Sequence, residues 1–234
     1  MNIFFEPNIK QNLCLNEEES RHAVKVLRLS AGDLLYVVDG KGGFYTCKIK
    51  SNQGKKCELI IADEKQEFNK NDFYIHLIIA PTKNMDRMEW MLEKCVEIGI
   101  DEISFIQTRY SERKEIKTQR LEKIAVGAMK QSQKAYLPTI NEMISWKEFL
   151  KNEVPESQKM IAHLEEGERK LIQHFAKPHE RYAILIGPEG DFSPEEIKQA
   201  FDKGFQPVTL GSSRLRTETA GLVACNILNI INQF

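Results

Sequence analysis

Hydrophobic positions along this chain follow two rhythms, and the change comes near residue 72. Before it, residues 16–29 (NEEESRHAVKVLRL) read as one helix. Asn16 suits the N-cap, three glutamates occupy the positive helix end, and Ala23, Val24 and Leu27 can face a core. DLLYVVDG, GFYTCKIK and CELIIADE follow as short β-rich runs, with GKGG and NQGK as hairpin turns. These features predict a small β domain carrying one helix, over residues 1–68. The charged, polar stretch EKQEFNKND (64–72) reads as the linker.

From residue 73 onward, buried-strand runs alternate with amphipathic helices. FYIHLIIA, ISFIQT, MIAHL, YAILIG and PVTLG are the strands. DRMEWMLEKCVEIG is a helix with Met88, Leu92, Cys95 and Val96 on one side and Gly99 as its stop. TQRLEKIAVGAMKQSQKAY reads as a long helix ending before Pro138, and SPEEIKQAFDKG and TETAGLVACNILNII as two more. Such alternation predicts an α/β domain over residues 73–234, with a mostly parallel sheet covered on both faces.

Composition narrows the function classes. The 234 residues are 41% hydrophobic and 29% charged, as expected of an ordinary globular chain. No apolar run reaches the roughly 18–20 residues of a membrane span, and MNIFFEPNIK lacks the build of a signal peptide. Five scattered cysteines form neither a disulfide framework nor a CxxC pair, and the five histidines have no ligand spacing, so neither zinc nor another metal is expected. A reducing cytoplasm is the expected location. The formal net charge of −1 means that any nucleic acid must be held by local basic faces.

Two loops could carry chemistry. In YAILIGPEGDFSPEEI a strand ends at Gly187 and the tight loop Gly187-Pro188-Glu189-Gly190 follows. A helix then opens with Ser193 as N-cap, Pro194 at its first position and Glu196 closing a capping box. In VTLGSSRLRTETAGLVA the plan repeats: a strand, Gly211, a polar loop, then Thr217, Glu218 and Thr219 in a first helical turn. Ligands of parallel sheets bind beyond the carboxyl ends of strands, where glycine lets the backbone come close. The plain alternative is that both loops only connect strand to helix. Neither is GxGxxG nor GxxxxGK[ST], which disfavours a dinucleotide site and a P-loop. The plain alternative for Arg216 is an ion pair with a neighbouring carboxylate, and Glu218 could equally serve the helix dipole.

IGPEG followed by LGSSRLRTETA resembles the 16S rRNA (uracil-N3)-methyltransferase family, ribosomal RNA small subunit methyltransferase E, of the SPOUT class. The likeness extends over nearly the whole chain. The family's H-x-x-x-V-L-R appears as His22-Ala23-Val24-Lys25-Val26-Leu27-Arg28. Its K-x-x-E-L-G-V appears as Lys94-Cys95-Val96-Glu97-Ile98-Gly99-Ile100, and its E-Q-S-x-R…P-x-I as Lys130-Gln131-Ser132-Gln133-Lys134 with Pro138 and Ile140. Asp191 replaces the second glycine of the usual GPEGG, Ser213 stands where arginine is usual, and Arg214 where an aliphatic residue is usual.

The resemblance implies a SPOUT α/β-knot domain with a deep C-terminal trefoil knot, and an N-terminal PUA-like β-barrel that handles RNA. It also implies a homodimer, S-adenosylmethionine (SAM) as cofactor, and the small ribosomal subunit as partner, with uridine 1498 of 16S rRNA as the usual target. Three loops are then expected to hold the cofactor: His163, Leu164 and Glu165; Ile186, Gly187, Pro188, Glu189 and Gly190; and Leu210, Gly211, Ser212, Leu215, Arg216 and Thr217. Deprotonation of uridine N3 leaves negative charge on the uracil oxygens, for which Arg216 is the candidate stabiliser. Glu189 and Glu218 are candidate proton acceptors, or else hold the loops. Arg21, Lys25 and Arg28 fall at i, i+4 and i+7, on one face of the expected helix, and with His22 form a candidate RNA contact. Arg109 and Arg113 around Tyr110, and Lys130 with Lys134 on one helix face, are further candidates. The rival readings are a SPOUT enzyme acting on another rRNA or on tRNA, and a non-catalytic RNA-binding assembly factor.

Overall fold

The computed structural model describes residues 1–52, 56–165 and 167–233; Gln53, Gly54 and Lys55 of the expected NQGK turn lie outside them. Two compact units are present: Met1–Lys70 with Val126–Leu137, and Asn71–Ala125 with Pro138–Phe234.

In the first unit β1 (Ile3–Phe5), α1 (Ile9–Asn12) and α2 (Glu17–Arg21) precede a π-helical turn, His22–Val26. Strands β2 (Leu34–Val38), β3 (Phe44–Ser51) and β4 (Glu58–Lys65) follow. The sheet runs β1-β2-β3-β4, with β1 parallel to β2 and the other pairs antiparallel. Alternate residues Leu35 and Val37 of β2 and Tyr45, Cys47 and Ile49 of β3 point into one core with Phe4, Ile9, Leu15 and Ala23. Burial there pushes the Cys47 thiol up to about 12, which keeps it protonated and unreactive. Asn16 caps α2 as expected, its side chain accepting the Glu19 N–H at 2.9 Å.

Two expectations for this unit need correction. The single helix over 16–29 is not continuous. Leu27 N–H reaches back five residues to the His22 carbonyl (3.0 Å), Leu29 N–H reaches Ala23 (3.0 Å), and Arg28 takes a left-handed conformation at φ 58°. That wider closure brings both Leu27 and Leu29 against the core. Arg21, Lys25 and Arg28 therefore do not share an α-helical stripe, because the last lies beyond the helix. Residues 64–72 are likewise no bare linker. β4 runs to Lys65, Phe68 N–H bonds the Gly42 carbonyl (2.9 Å), and the Phe68 ring stacks on Phe44 with centroids 4.4 Å apart.

The first unit is completed from further along the chain. Gly42 N–H bonds the Ala135 carbonyl (2.9 Å), Leu137 N–H bonds that of Gly40 (3.0 Å), and Lys41 bridges Tyr136.

The second unit comprises β5 (Tyr74–Ile79), α3 (Met85–Ile98), β6 (Glu102–Gln107), α4 (Thr118–Gln131), β7 (Thr139–Ser145), α5 (Trp146–Phe149) and β8 (Gln158–Ala162). Then come β9 (Lys170–Leu171), α6 (Ile172–Phe175), β10 (Arg181–Ile186), α7 (Pro194–Asp202), β11 (Gln206–Thr209) and α8 (Thr217–Ile231). The last residues of α4 count with the first unit. The sheet order is β7-β6-β5-β10-β8-β11-β9, and every pair is parallel. One face buries Ile78, Ala80 and Ile106 against Trp146, Phe149, Phe192 and Phe205. On the other, Leu77 and Ile79 approach Gly221 of α8, which packs against α3. The expected long helix stops at Gln131 instead of running to Tyr136. Ser132 Oγ bonds back to the Ala128 carbonyl (2.7 Å) and Gln133 turns left-handed at φ 59°, so Lys130 and Lys134 do not share a helix face.

His76, in the apolar run of β5, is held in a polar network. Its Nδ1 faces Glu156 Oε1 at 3.0 Å and its Nε2 faces Ser104 Oγ at 2.8 Å. Burial would raise the Glu156 pKa, but the hydrogen bond and charge of His76 outweigh it and hold the carboxyl below its ordinary value. Among the described residues, no helix is long and apolar enough to cross a membrane.

Candidate functional site

The carboxyl ends of β8, β10 and β11, three adjacent parallel strands, open into a cavity of about 460 Å³. Its size falls within the roughly 300–1,000 Å³ usual for small-molecule sites. The three strands lie side by side although long stretches of chain separate them. Each delivers one loop, and the N-terminus of α8 closes the set.

The loop after β8 brings His163 and Leu164 to the cavity wall, while Glu165 is not part of the lining. His163 is buried, and neither ring nitrogen has a hydrogen-bond partner among the described residues. Burial holds its pKa below 6.5, helped by the Arg169 charge and opposed by Asp191 and Glu165. A neutral imidazole with two buried, unsatisfied nitrogens is therefore left at the cavity wall.

The loop after β10 contributes Ile186, Gly187, Pro188 and Glu189; Gly190 stands just outside the lining. The helix start behind it is built as its sequence implied. Ser193 Oγ accepts the Glu196 N–H, Glu196 answers to the Ser193 N–H (2.9 Å), and Pro194 opens α7. A Cβ on Gly187 would lie 3.1 Å from the Phe192 ring, so the tight turn leaves little room there for a side chain. Glu189 is exposed, and its Oε1 accepts the Lys83 N–H at 3.4 Å.

The loop after β11 supplies Leu210, Gly211, Ser212, Leu215 and Arg216, and Thr217 begins α8. Gly211 has φ 138°, a conformation that other residues rarely adopt. Thr217 Oγ donates to the Gly187 carbonyl at 3.0 Å, which ties the second and third loops together. Arg216 is the helix N-cap and is exposed along the cavity. Glu218 is buried outside the lining; one carboxylate oxygen lies 3.9 Å from Arg87 Nε and the other has no partner among the described residues.

Asp191 was noticed in the sequence only as a departure from a motif, yet it lines the cavity. It holds φ 65°, a left-handed position that aspartate tolerates better than most residues. Its Oδ2 accepts the Leu164 N–H (2.7 Å) and its Oδ1 the Phe192 N–H (2.8 Å), so one carboxylate braces the first loop to the second. Arg169 and Arg214 also line the cavity, and the Arg169 guanidinium donates to the His163 carbonyl. Arg169 carried no motif, and only three-dimensional proximity reveals it.

The chain matches the family model of the RNA methyltransferase domain over residues 69–229 and that of the RNA methyltransferase PUA domain over residues 15–62. A ribosomal RNA small subunit methyltransferase E from Mesomycoplasma hyopneumoniae (strain 232) is 30% identical over 224 residues, spanning 94% of this chain and 95% of the relative. The chain belongs to the ribosomal RNA small subunit methyltransferase E family. A probable rRNA-methyltransferase from Porphyromonas gingivalis superposes with a TM-score of 0.94 at 43% identity, covering 100% of this chain and 99% of that one. A ribosomal RNA small subunit methyltransferase E from Neisseria gonorrhoeae, solved bound to S-adenosyl methionine, gives 0.86 at 29% identity, covering 99% and 98%.

As a member of the methyltransferase E family, the chain carries its expected RNA-contacting residues in varied settings. Arg21 and Lys25 are exposed, and Arg28 is exposed beyond the π-helical turn. His22 Nδ1 lies 3.9 Å from Glu19, with its ring tilted over Phe4. The Lys130 ammonium is committed to Glu19 and lies over the Phe4 ring. Lys134 follows the end of α4. Arg109 is exposed, whereas Arg113 donates to the carbonyls of Thr82 (3.1 Å) and Lys83. Arg113 thus serves as a loop brace.

Proposed function

We propose that this protein is a SAM-dependent methyltransferase that methylates N3 of one uridine in 16S rRNA of the small ribosomal subunit, with uridine 1498 as the expected target. Family membership supports the reaction class. The observation that carries the cofactor assignment is the cavity itself, with His163 on its wall and the left-handed Gly211 beside it. These residues fit a nucleoside ligand: Leu164, Leu210 and Leu215 offer apolar surface, and the loop backbones offer polar partners. When bound, SAM supplies an electrophilic methyl group.

The remaining work falls to the chain. Uridine N3 becomes a nucleophile only once its proton leaves, and the uracil oxygens then share the negative charge. Arg216 is suited to stabilise that charge, being cationic, exposed and on the cavity wall. Glu189 is the favoured proton acceptor over Glu218, because it is exposed on the same wall while Glu218 is buried beside Arg87. A C-terminal trefoil knot, a closed PUA-like barrel, a homodimeric assembly and a cytoplasmic location complete this reading.

Arg216→Ala should lower kcat at least about a hundredfold, the usual cost of removing one charge-stabilising donor. SAM affinity, measured by calorimetry, should change little. Undiminished turnover would remove Arg216 from the chemistry. For the target itself, nucleoside mass spectrometry of rRNA from a deletion strain should show 3-methyluridine missing from 16S rRNA; its retention would defeat the assignment.

A further inference from the structure

The cavity uses loops from β8, β10 and β11, but β10 has another neighbour. On its far side lie β5 and then β6, whose carboxyl-end loops carry Lys83, Arg109, Tyr110 and Arg113 beside the cofactor cavity. The methyl acceptor has to approach that cavity past its neighbouring loops, and this shelf touches the loop that carries Glu189.

The shelf is fixed in place. Arg109 N–H donates to Glu196 Oε1 at 2.7 Å, and Thr108 N–H to Ser111 Oγ at 3.0 Å. Arg113 clamps the Thr82 and Lys83 carbonyls, and Lys83 N–H in turn reaches Glu189. A Cβ on Gly190 would lie only 3.0 Å from Tyr110 Cβ, so glycine at that position lets Tyr110 pack directly on the loop that carries Glu189. Despite this anchoring, Tyr110 is 46% exposed. The Arg109 guanidinium lies 5.7 Å from the centre of the Tyr110 ring and has no carboxylate partner among the described residues. Single exposed aromatics are ordinary on protein surfaces. This one is distinguished by its rigid mounting, its companion cation and its contact with the cavity loop.

We propose that Tyr110, backed by Arg109, is a stacking platform for an unpaired RNA base presented to the cofactor cavity from the β5–β6 side. The ring offers a flat π-face that accepts a base without reading its edge, and the arginine offers charge for an adjoining phosphate. This extends the functional reading above and rests on RNA being the substrate.

The test is methyl transfer to small ribosomal subunits, together with binding of a fluorescein-labelled oligouridine. Tyr110→Ala should raise KM for subunits about tenfold and weaken oligouridine binding to a similar degree, in line with the loss of one base–aromatic stack. SAM affinity should stay unchanged, and Tyr110→Phe and Tyr110→Trp should restore both values. Unchanged KM and oligouridine affinity in the alanine variant would overturn the platform. So would parallel loss of SAM affinity, which would mark Tyr110 as a loop support only, or failure of both aromatic replacements to rescue. If the wild-type protein transferred no methyl group to subunits, the functional reading would fall instead, and oligouridine binding would still decide the role of Tyr110.

Discussion

His163 links the cavity to pH. Burial favours its neutral form in the folded protein, so its pKa lies below the 6.5 expected of the unfolded chain. Between those two values the unfolded state binds more proton, and acidification favours unfolding. The stabilisation is complete above about pH 6.5 and is lost as pH falls through the folded value. Wild-type Tm should therefore drop more steeply from pH 7.5 to pH 5.5 than that of His163→Gln, in paired calorimetric scans; parallel slopes would contradict this. Asp191 makes a separate prediction. Replacing it with glycine, the residue usual in the family motif, suits φ 65° but deletes both bonds of the brace. SAM affinity should weaken roughly five- to tenfold and Tm should fall as well, since hydrogen bonds to a carboxylate contribute on the order of 1.5–3 kcal/mol to stability before partial exposure is discounted. Calorimetric titration would detect it.

At the level of elements, α8 depends on a glycine in its second turn. A Cβ on Gly221 would lie 2.8 Å from Met91 Sδ, 3.2 Å from Ile79 Cδ1 and 3.3 Å from Leu77 Cδ2. Gly221→Val should destabilise the protein by about 1–3 kcal/mol through overpacking, despite the better helix propensity of valine over glycine. A urea titration with an unchanged midpoint would refute that. The same elements show how far a sequence can be read. The Ser193–Glu196 capping box and the Asn16 cap were legible because their chemistry is local. The strand TINEMIS of β7 was missed because it lies at the sheet edge and buries no residue fully. The π-helical turn was missed because Ala23 and Leu27 satisfy an α-helical pattern as well as a wider one. At the site, two glycine loops announced themselves. Arg169 did not, since its place on the wall depends on strands meeting that are distant in sequence.

For the whole molecule, the chain crosses between its two units at residues 70/71, 125/126 and 137/138. A fragment of residues 1–70 lacks the Ala135 and Leu137 backbone partners of Gly42 and Gly40. It should melt below a fusion of residues 1–70 to 126–137 by about 4–8 °C for each kcal/mol those contacts contribute; coincident melting curves would show the segment to be dispensable. Residues 126–137 leave the ribosome long after the sheet they complete. The N-terminal domain thus stays unfinished during synthesis until part of its successor has emerged. Manufacture of the two domains is interleaved, and no single scission, natural or engineered, can release the first one with both of its segments.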